Sequence, residues 1–301
     1  MRILVTGASG LLGRALMKEL QACPTTEPLG LAFSRAKGGL RKVDIRSEEE
    51  VRAIMQEFKP NAVIHAAVER RPDVVEVNEE RAKKVNCDAT EVIGKLSAEF
   101  GAYVIFISTD YVFDGTSPPY KPSDATNPLN KYGCQKLEGE KIIRATNQNS
   151  AILRVPILYG PLETIEESAV TILVKTIRNK DKNDLIDDIC TRCPTHVQDI
   201  AVVCRQMCEH WEKDPASVTQ IFHWCGGELM TKYAMATTIA DLFQLPHEHL
   251  RPNPVQPTGG TLRPKDCTMD RSKLEELGIG QTTTFREGMK EALAPFMTTE
   301  S

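Results

Sequence analysis

The chain has 301 residues, of which 26% are charged, and a formal net charge of −4 at pH 7. Its length gives room for one large domain or two modest ones around a well-buried core. The charged residues are mixed in sign and slightly acidic in sum, and they form no basic run, so we do not expect a nucleic acid as partner. No apolar stretch reaches the roughly 18 residues that a membrane span needs.

The cysteines and the N-terminus favour a cytoplasmic protein. Nine cysteines are scattered along the chain, which is typical of reduced thiols in the cytosol. The first residues enter a strand directly, which leaves no room for a signal peptide. We therefore expect a cytoplasmic protein with no membrane partner.

Apolar strands alternate with helical segments through the first half of the chain. Strands are predicted at residues 2–6, 29–33, 40–45, 62–66, 103–108, 151–155 and 222–224. Helices are predicted at residues 11–20, 48–58 behind a capping box at 47–50, most of 74–100, and 131–146. Continuous apolar strands between helices predict an α/β fold, a doubly wound parallel sheet (Rossmann) covered on both faces.

After Leu158–Pro161 the pattern changes. The segment up to Cys193 is polar and helical, without clear strands, and a helix and a proline-rich stretch at 252–264 follow Gly226. We predict a nucleotide-binding Rossmann domain of residues 1–160 plus about 196–225. A smaller, discontinuous C-terminal substrate-side lobe is predicted from about 161–195 plus 226–296.

A glycine-rich turn joins the first strand to the first helix. Gly7 allows a tight turn, Gly10 lets the backbone approach phosphates, and Gly13 lets the helix pack closely on the strand. The helix N-terminus supplies free N–H groups and a partial positive charge. The turn therefore predicts a site for a dinucleotide pyrophosphate, with a purely packing role as the alternative.

The ends of the next strands indicate which dinucleotide is bound. An NAD site places Asp or Glu at the end of the second strand, where this chain has Phe33-Ser34-Arg35. Arg35 can pair with a 2′-phosphate, so we prefer NADP(H) to NAD, with a solvated surface arginine as the alternative. Asp44-Ile45 is placed to flank the adenine. Ala66-Ala67 offers small residues over the cofactor, with Arg70 just beyond.

Three side chains form a candidate set for carbonyl reduction. Thr109 follows Ser108 at the end of the fifth strand, and Tyr132 and Lys136 lie on one face of the following helix. The Lys136 ammonium and a positive nicotinamide ring could lower the pKa of Tyr132 from about 10 toward 7. Tyr132 would then protonate a carbonyl oxygen that Thr109 also binds, as hydride arrives at its carbon. Lys136 could also hold the nicotinamide ribose. A surface Tyr–Lys pair is the alternative.

Cys190 and Cys193 form a CxxC motif with His196 three residues further on. The motif could be half of a zinc site or a redox pair. No second CxxC completes a structural zinc site, and Pro194 follows where a redox pair would begin a helix. We predict incidental thiols and no metal.

Longer segments resemble known families. The glycine spacing and the Thr109, Tyr132, Lys136 order match the short-chain dehydrogenase/reductase superfamily. Residues 107–115 and 128–133 resemble dTDP-4-dehydrorhamnose reductase, an NADP(H)-using extended short-chain reductase. Further stretches are similar to the regulatory (beta) subunits of methionine adenosyltransferase, at residues 69–76, 154–160, 167–171, 194–197, 230–233 and 277–281. The resemblance runs from residue 2 to about 296.

The resemblance implies a non-catalytic, NADP(H)-binding regulatory subunit. Such a subunit forms a hetero-oligomer with the methionine adenosyltransferase catalytic subunit and modulates S-adenosylmethionine synthesis. By position, the resemblance carries cofactor contacts onto Ser9, Gly10, Leu11, Leu12, Phe33, Ser34, Arg35, Asp44, Ile45, Ala66, Arg70, Tyr132 and Leu158. The set Thr109, Tyr132 and Lys136 would also allow reduction, so an NADPH-dependent keto-sugar reductase is the alternative. The family's aromatic and basic C-terminal tail is not matched here, where residues 297–301 follow Phe296.

Overall fold

The computed structural model describes residues 1–181, 185–255 and 260–297. Its strands are β1 (Arg2–Thr6), β2 (Glu27–Ala32), β3 (Arg41–Lys42), β4 (Ala62–His65), β5 (Tyr103–Thr109), β6 (Ser150–Val155), β7 (Leu158–Tyr159), β8 (Leu185–Asp187), β9 (Thr195–His196), β10 (Ile221–His223) and β11 (Arg251–Asn253). Seven of them form one parallel sheet in the order β10–β6–β5–β4–β1–β2–β3. The order reverses between β1 and β4, which is where ligands bind in open α/β sheets. The predicted doubly wound parallel fold is confirmed.

The helices fall between the strands. They are α1 (Leu11–Ala22), α2 (Glu48–Phe58), α3 (Pro72–Val77), α4 (Glu79–Lys83), α5 (Ala89–Glu99), α6 (Lys131–Thr146), α7 (Leu173–Arg178), α8 (Val197–Lys213), α9 (Lys232–Leu242), α10 (Ser272–Glu275) and α11 (Phe285–Met297). A single π-helical turn, Lys84–Asp88, joins α4 to α5. Within the described ranges, no helix is long and apolar enough to cross a membrane.

Two apolar cores cover the two faces of the sheet. Helices α1 and α8 pack on one face, against Ile3 and Val5. Helices α2, α5 and α6 pack on the other face, against Leu4 and Val104. Successive strand side chains point to opposite faces, so a strand buried on both faces must be apolar at every position. This is why the strands read as continuous apolar runs in the sequence.

A third core lies beside the sheet and defines what we call the small lobe. Its buried side chains come from β7, α7, α9 and α11 and include Val174, Ile239 and Met289. Leu274 and Ile279 lie in the range predicted for this lobe, yet they pack into the sheet core instead. The division into two domains at the predicted residues stays a prediction.

Several predicted elements have different bounds. The third strand, predicted at 40–45, pairs only at Arg41–Lys42, since it lies at the sheet edge beside β2 alone. The segment from Pro161 to Cys193, predicted without clear strands, contains β8, which pairs with β11. A three-residue strand with a distant partner has too little periodicity to be read from sequence. Residues 182–184, 256–259 and 298–301, including the end of the C-terminal tail and part of the proline-rich stretch, lie outside the described residues.

Candidate functional site

The glycine-rich turn has the geometry that the sequence predicts. Gly7 adopts a φ of 69°, and the Gly10 amide donates to the Gly7 carbonyl at 2.9 Å. A Cβ on Gly13 would lie 2.1 Å from the Gly7 oxygen, so only glycine allows α1 to begin this close to the turn. The turn and the α1 N-terminus therefore present backbone N–H groups to an anion.

A buried chain of polar groups supports this turn from below. The Ala67 amide donates to Thr6 Oγ1 at 3.2 Å, and Thr90 Oγ1 donates to the Asn86 carbonyl. The Thr6 hydroxyl can then donate to His65 Nδ1 (2.7 Å), and His65 Nε2 to Thr90 Oγ1 (3.1 Å). Burial lowers the pKa of His65 to about 3, so the ring is neutral and fixes the end of β4 beside the turn.

The residues predicted to contact the cofactor at the turn differ in how exposed they are. Leu12 is 9% exposed and belongs to the sheet core, so its backbone alone is available. Leu11, Ala66 and Leu158 are partly buried and pack against the same core. These positions form an apolar floor beside the turn, and Ser9 is half-buried at its rim.

On the predicted adenine side, a second polar arrangement follows β2 and β3. Phe33 is 53% exposed, and the Arg46 guanidinium lies 5.5 Å from its ring centroid. Hydrogen bonds from Arg46 hold the pKa of Asp44 below its usual range. Ser34 is exposed and Ile45 half-buried. Arg46 was missed in the sequence because nothing local ties it to Phe33.

Three arginines around the turn converge on one residue of the small lobe, Glu167. Arg14 in α1 donates to both oxygens of Glu167, at 3.1 and 2.6 Å, and to the Ser9 carbonyl at 3.0 Å. Arg35 Nη1 donates to Glu163 at 2.8 Å and to Glu167 at 3.1 Å. Arg70 donates to the Glu167 carbonyl. Arg35 lies where the sequence predicts, but its protein partners are carboxylates.

Glu167 is held strongly in its charged form. Burial opposes this, but hydrogen bonds from Arg14, the Glu163 amide and Arg35 lower the pKa of Glu167 to about 2. Arg14 could have been found in the sequence as a basic residue directly after the last glycine of the turn. Glu167 could not, because it lies 153 residues from Arg14.

The three candidate reduction residues are in the predicted order, at the ends of β5 and in α6. Thr109 is buried, and its hydroxyl donates to Asp110 Oδ1 at 3.0 Å. Burial raises the pKa of Tyr132, and a hydrogen bond with Thr109 and the nearby Arg70 charge offset this only in part. The protein groups alone thus shift this pKa in the direction opposite to that expected from a Tyr–Lys pair.

Lys136 faces an aromatic ring rather than the phenol. Its Nζ lies 3.9 Å from the Phe106 ring centroid, and the side chain is 3% exposed. Burial lowers the pKa of Lys136 to about 7, although the charge of Glu140 opposes this. Lys136 is therefore a weak source of positive charge for Tyr132 at neutral pH.

Helix α6 is fixed at both of its ends. Asn130 caps it by accepting from the Gly133 amide at 2.9 Å. Further along, Glu140 accepts two hydrogen bonds from Arg154 of β6, at 2.9 and 2.7 Å, in a fully buried pair. These contacts set where Tyr132 and Lys136 lie relative to β5.

The π-helical turn contributes one further clamp. Asn86 accepts from the Glu69 amide at 2.9 Å and donates to the Glu69 carbonyl at 3.2 Å. It also donates to Gln135 Oε1 of α6 at 2.9 Å. One side chain thus ties the loop after β4 to the helix that carries Tyr132 and Lys136.

Asp110 and Arg192 are buried charged residues near Tyr111. Burial raises the pKa of Asp110 to about 6 against the pull of the Arg192 guanidinium. Arg192 is 7% exposed and lies 5.8 Å from the Tyr111 ring centroid. Neither residue was singled out from sequence. Their position gives the candidate site a buried positive group beside Tyr111 and Tyr132, whose rings meet edge-on at 6.2 Å.

The CxxC motif contains Arg192, so its two cysteines lie next to this charged group. Cys190 and Cys193 are both buried, and Cys193 packs with Cys225 and Cys267. Over residues 1–181, 185–255 and 260–297, no three His, Cys, Asp or Glu side chains come together in a group that could hold a metal ion.

This fold and glycine turn are of the Rossmann-like, short-chain dehydrogenase/reductase class, and comparison with known proteins narrows that class to one family. A family model for the RmlD substrate binding domain matches residues 1–298, so the chain belongs to that family. Methionine adenosyltransferase 2 subunit beta of Bos taurus is 48% identical over 296 residues, covering 98% of this chain and 88% of that protein. Within the family, the chain groups with these beta subunits, as the sequence resemblance indicates.

Solved structures give the same fold. A dTDP-4-dehydrorhamnose reductase of Clostridium acetobutylicum matches with a TM-score of 0.84 and 27% identity, over 99% of this chain and 100% of that one. The Bacillus anthracis dTDP-4-dehydrorhamnose reductase in complex with NADP matches with a TM-score of 0.83 over 98% and 99%. At 23% identity, that second likeness concerns the fold alone.

Proposed function

We propose that this chain is an NADP-binding, non-catalytic regulatory subunit of methionine adenosyltransferase that modulates S-adenosylmethionine synthesis in the cytoplasm. The observation that carries the proposal is the nearly full-length similarity to proteins named as beta subunits of that enzyme. A catalytic subunit would be its partner in a hetero-oligomer.

The candidate site supports the NADP part of this proposal. A Cβ at Gly13 would meet the backbone of the turn, so α1 begins close against β1 and its N-terminus lies at the turn, as in a pyrophosphate site. Arg35 stands at the end of β2, where an NAD-selective site would place a carboxylate. When bound, NADP(H) would supply hydride chemistry. The residues here bind and orient it through the turn, Arg35, Ala66, Arg70 and Leu158.

The state of the candidate reduction residues favours a binding role. A general acid works best when its pKa lies near the working pH, but burial raises the pKa of Tyr132. Burial also lowers the pKa of Lys136, to about 7, which weakens the positive charge beside Tyr132 at neutral pH. The pair is therefore poorly prepared to protonate a carbonyl oxygen.

The test is association with the catalytic subunit. We expect the chain and purified methionine adenosyltransferase catalytic subunit to co-elute on gel filtration at micromolar concentrations, and S-adenosylmethionine synthesis to change on mixing. The variant Gly13→Val, which blocks the turn, serves as the control for NADP dependence. Separate elution both with and without NADP would refute the regulatory assignment.

The second candidate is an NADPH-dependent keto-sugar reductase of the dTDP-4-dehydrorhamnose type. The retained Thr109, Tyr132 and Lys136 favour it. NADPH oxidation with dTDP-4-dehydrorhamnose, abolished in Tyr132→Phe, would establish it. Absence of substrate-dependent oxidation by the unmutated protein would count against it.

A further inference from the structure

The group formed by Arg14, Arg35, Arg70, Glu163 and Glu167 has an asymmetry that suggests a role. Both terminal nitrogens of Arg14 are engaged: they hold Glu167, and Nη1 also holds the Ser9 carbonyl. Arg35 uses Nη1 alone. Its Nε and Nη2 have no protein partner within residues 1–181, 185–255 and 260–297. One edge of this guanidinium is anchored while the other is open.

The open edge belongs to an exposed side chain on the cofactor side of the protein. The Arg35 side chain is 49% exposed, whereas that of Glu167 is 12% exposed. An arginine with a free edge binds phosphate through paired N–H groups in a plane. Three arginines against two carboxylates leave one net positive charge in the group, which favours the binding of an anion such as a phosphate.

Glu167 is itself fixed by the small lobe. Its carboxylate accepts from the Glu163 amide at 2.9 Å, and the neighbouring Ser168 hydroxyl donates to the Leu158 carbonyl at 2.7 Å. Ile165, two residues before Glu167, packs on the small-lobe core. The anchor for Arg35 is therefore rigid and comes from outside the nucleotide-binding sheet.

We propose that Glu167 is a positioning residue that presents Arg35 to the 2′-phosphate of NADP, so that selectivity for NADP over NAD depends on the small lobe. The inference rests on the NADP binding proposed above. A prearranged arginine loses less conformational entropy on binding than a mobile one, and the smaller entropic cost increases the affinity. NAD lacks the 2′-phosphate and would gain nothing from the anchor.

The experiment compares binding of NADPH and NADH by nucleotide fluorescence in the full-length protein. For Glu167→Gln we expect NADPH affinity to fall about tenfold, the scale of one charge-assisted hydrogen bond, and NADH affinity to change less than twofold. Glu167→Asp, which keeps the charge, should recover part of the loss. Glu166→Gln is the matched control: Glu166 is adjacent but pairs with Lys175, and its affinities should not change.

Two further variants test whether Glu167 acts on NADPH binding through Arg35. In an Arg35→Ala background, Glu167→Gln should change NADPH affinity less than twofold, because the arginine that Glu167 positions is gone. If Glu167→Gln does not fold, Glu163→Gln leaves the Arg14 fork intact and should still lower NADPH affinity about threefold by loosening Arg35.

The results that would contradict the positioning role of Glu167 can be told apart from a failure of NADP binding. Tighter NADPH binding by Glu167→Gln would mean that the carboxylate competes with the phosphate, and equal weakening of NADPH and NADH would mean a purely structural role. Either result overturns the inference while leaving NADP binding intact. Failure of the unmutated protein to bind either nucleotide would instead refute the proposed NADP site and the inference together.

Discussion

The two main carboxylate–arginine groups of this protein have opposite surroundings. Arg154 and Glu140 are 3% and 5% exposed and connect β6 to α6 inside the sheet lobe. The group around Glu167 joins the small lobe to the glycine turn, and there Arg35 and Glu163 are 49% and 57% exposed. A buried pair is costly to break because one charge is left uncompensated. An exposed pair is cheap to rearrange, so the first group serves stability and the second can respond to a ligand.

Breaking the buried pair should give the largest effect. Glu140→Gln leaves the Arg154 charge buried without a counter-charge, so we expect the free energy of unfolding to fall by about 3–5 kcal/mol. Urea denaturation followed by circular dichroism measures it. The control is Glu138→Gln on the exposed side of the same helix, which should stay within about 0.5 kcal/mol. If Glu140→Gln lowers the free energy of unfolding by less than about 1 kcal/mol, the Arg154–Glu140 pair contributes no more to stability than the group around Glu167.

Lys136 extends the comparison to a buried cation. Its pKa falls from 10.5 to about 7 on folding, so the unfolded state binds the proton more tightly. The cost to stability is therefore complete below about pH 7 and fades as the pH rises toward 10.5. We expect Lys136→Met to raise the free energy of unfolding by about 2 kcal/mol at pH 6, and by less at pH 10.

Denaturation at the two pH values checks this result. Lys141→Met, on the same helix but 67% exposed, is the control and should show no such pH dependence. An equal gain for Lys136→Met at both pH values would contradict the assignment of a depressed pKa.

The contribution of Glu167 to stability should change at acidic pH. Its pKa falls from 4.5 to about 2 on folding, so its contribution is complete above about pH 4.5 and is lost as the pH falls through 2. We expect Glu167→Gln to be about 1–2 kcal/mol less stable than the unmutated protein at pH 6, with the difference closing below pH 4.5. Thermal denaturation across pH 3–7 measures it. A difference that persists unchanged at pH 3 would argue against charge as its source.

Arg35→Ala should have the smallest effect on stability. Since Arg35 and its nearer partner Glu163 are 49% and 57% exposed, we expect the free energy of unfolding to change by about 0.5 kcal/mol or less, although NADPH binding weakens. Denaturation and NADPH binding, measured on this one variant, would show that Arg35 contributes to ligand binding and little to stability. A stability loss as large as that of Glu140→Gln would place the Glu167 group among the structural pairs.

Local signals in the sequence predicted the elements of the parallel sheet and its helices well. Helix α6 begins and ends where predicted, because Asn130 caps it and its neighbours favour helix. The capping box at Ser47 is only half formed: its hydroxyl accepts from the Glu50 amide, while the Glu50 carboxylate accepts from the Asp44 amide instead. The position of Arg35 at a strand end could be predicted for the same reason, since strand and turn are adjacent in the chain.

What could not be predicted depends on contacts between distant residues. Arg35 and Glu163 are 128 residues apart, and Glu140 and Arg154 meet only once α6 lies on β6. The sequence predicts that Lys136, four residues away, lowers the pKa of Tyr132 together with a bound nicotinamide ring. In the fold, Lys136 turns toward Phe106 and burial dominates. Spacing places two side chains on one face of a helix, but packing decides what each of them touches.

The π-helical turn at Lys84–Asp88 has a consequence for insertions and deletions. Such a turn holds one residue more than the α-helix around it. Removing one residue there would restore a continuous helix and rotate everything before it by about 100°. Asn86 would swing away from Gln135 and Glu69, and the tie between the β4 loop and α6 would be lost. This stretch therefore tolerates substitutions on its exposed side far better than any change in its length.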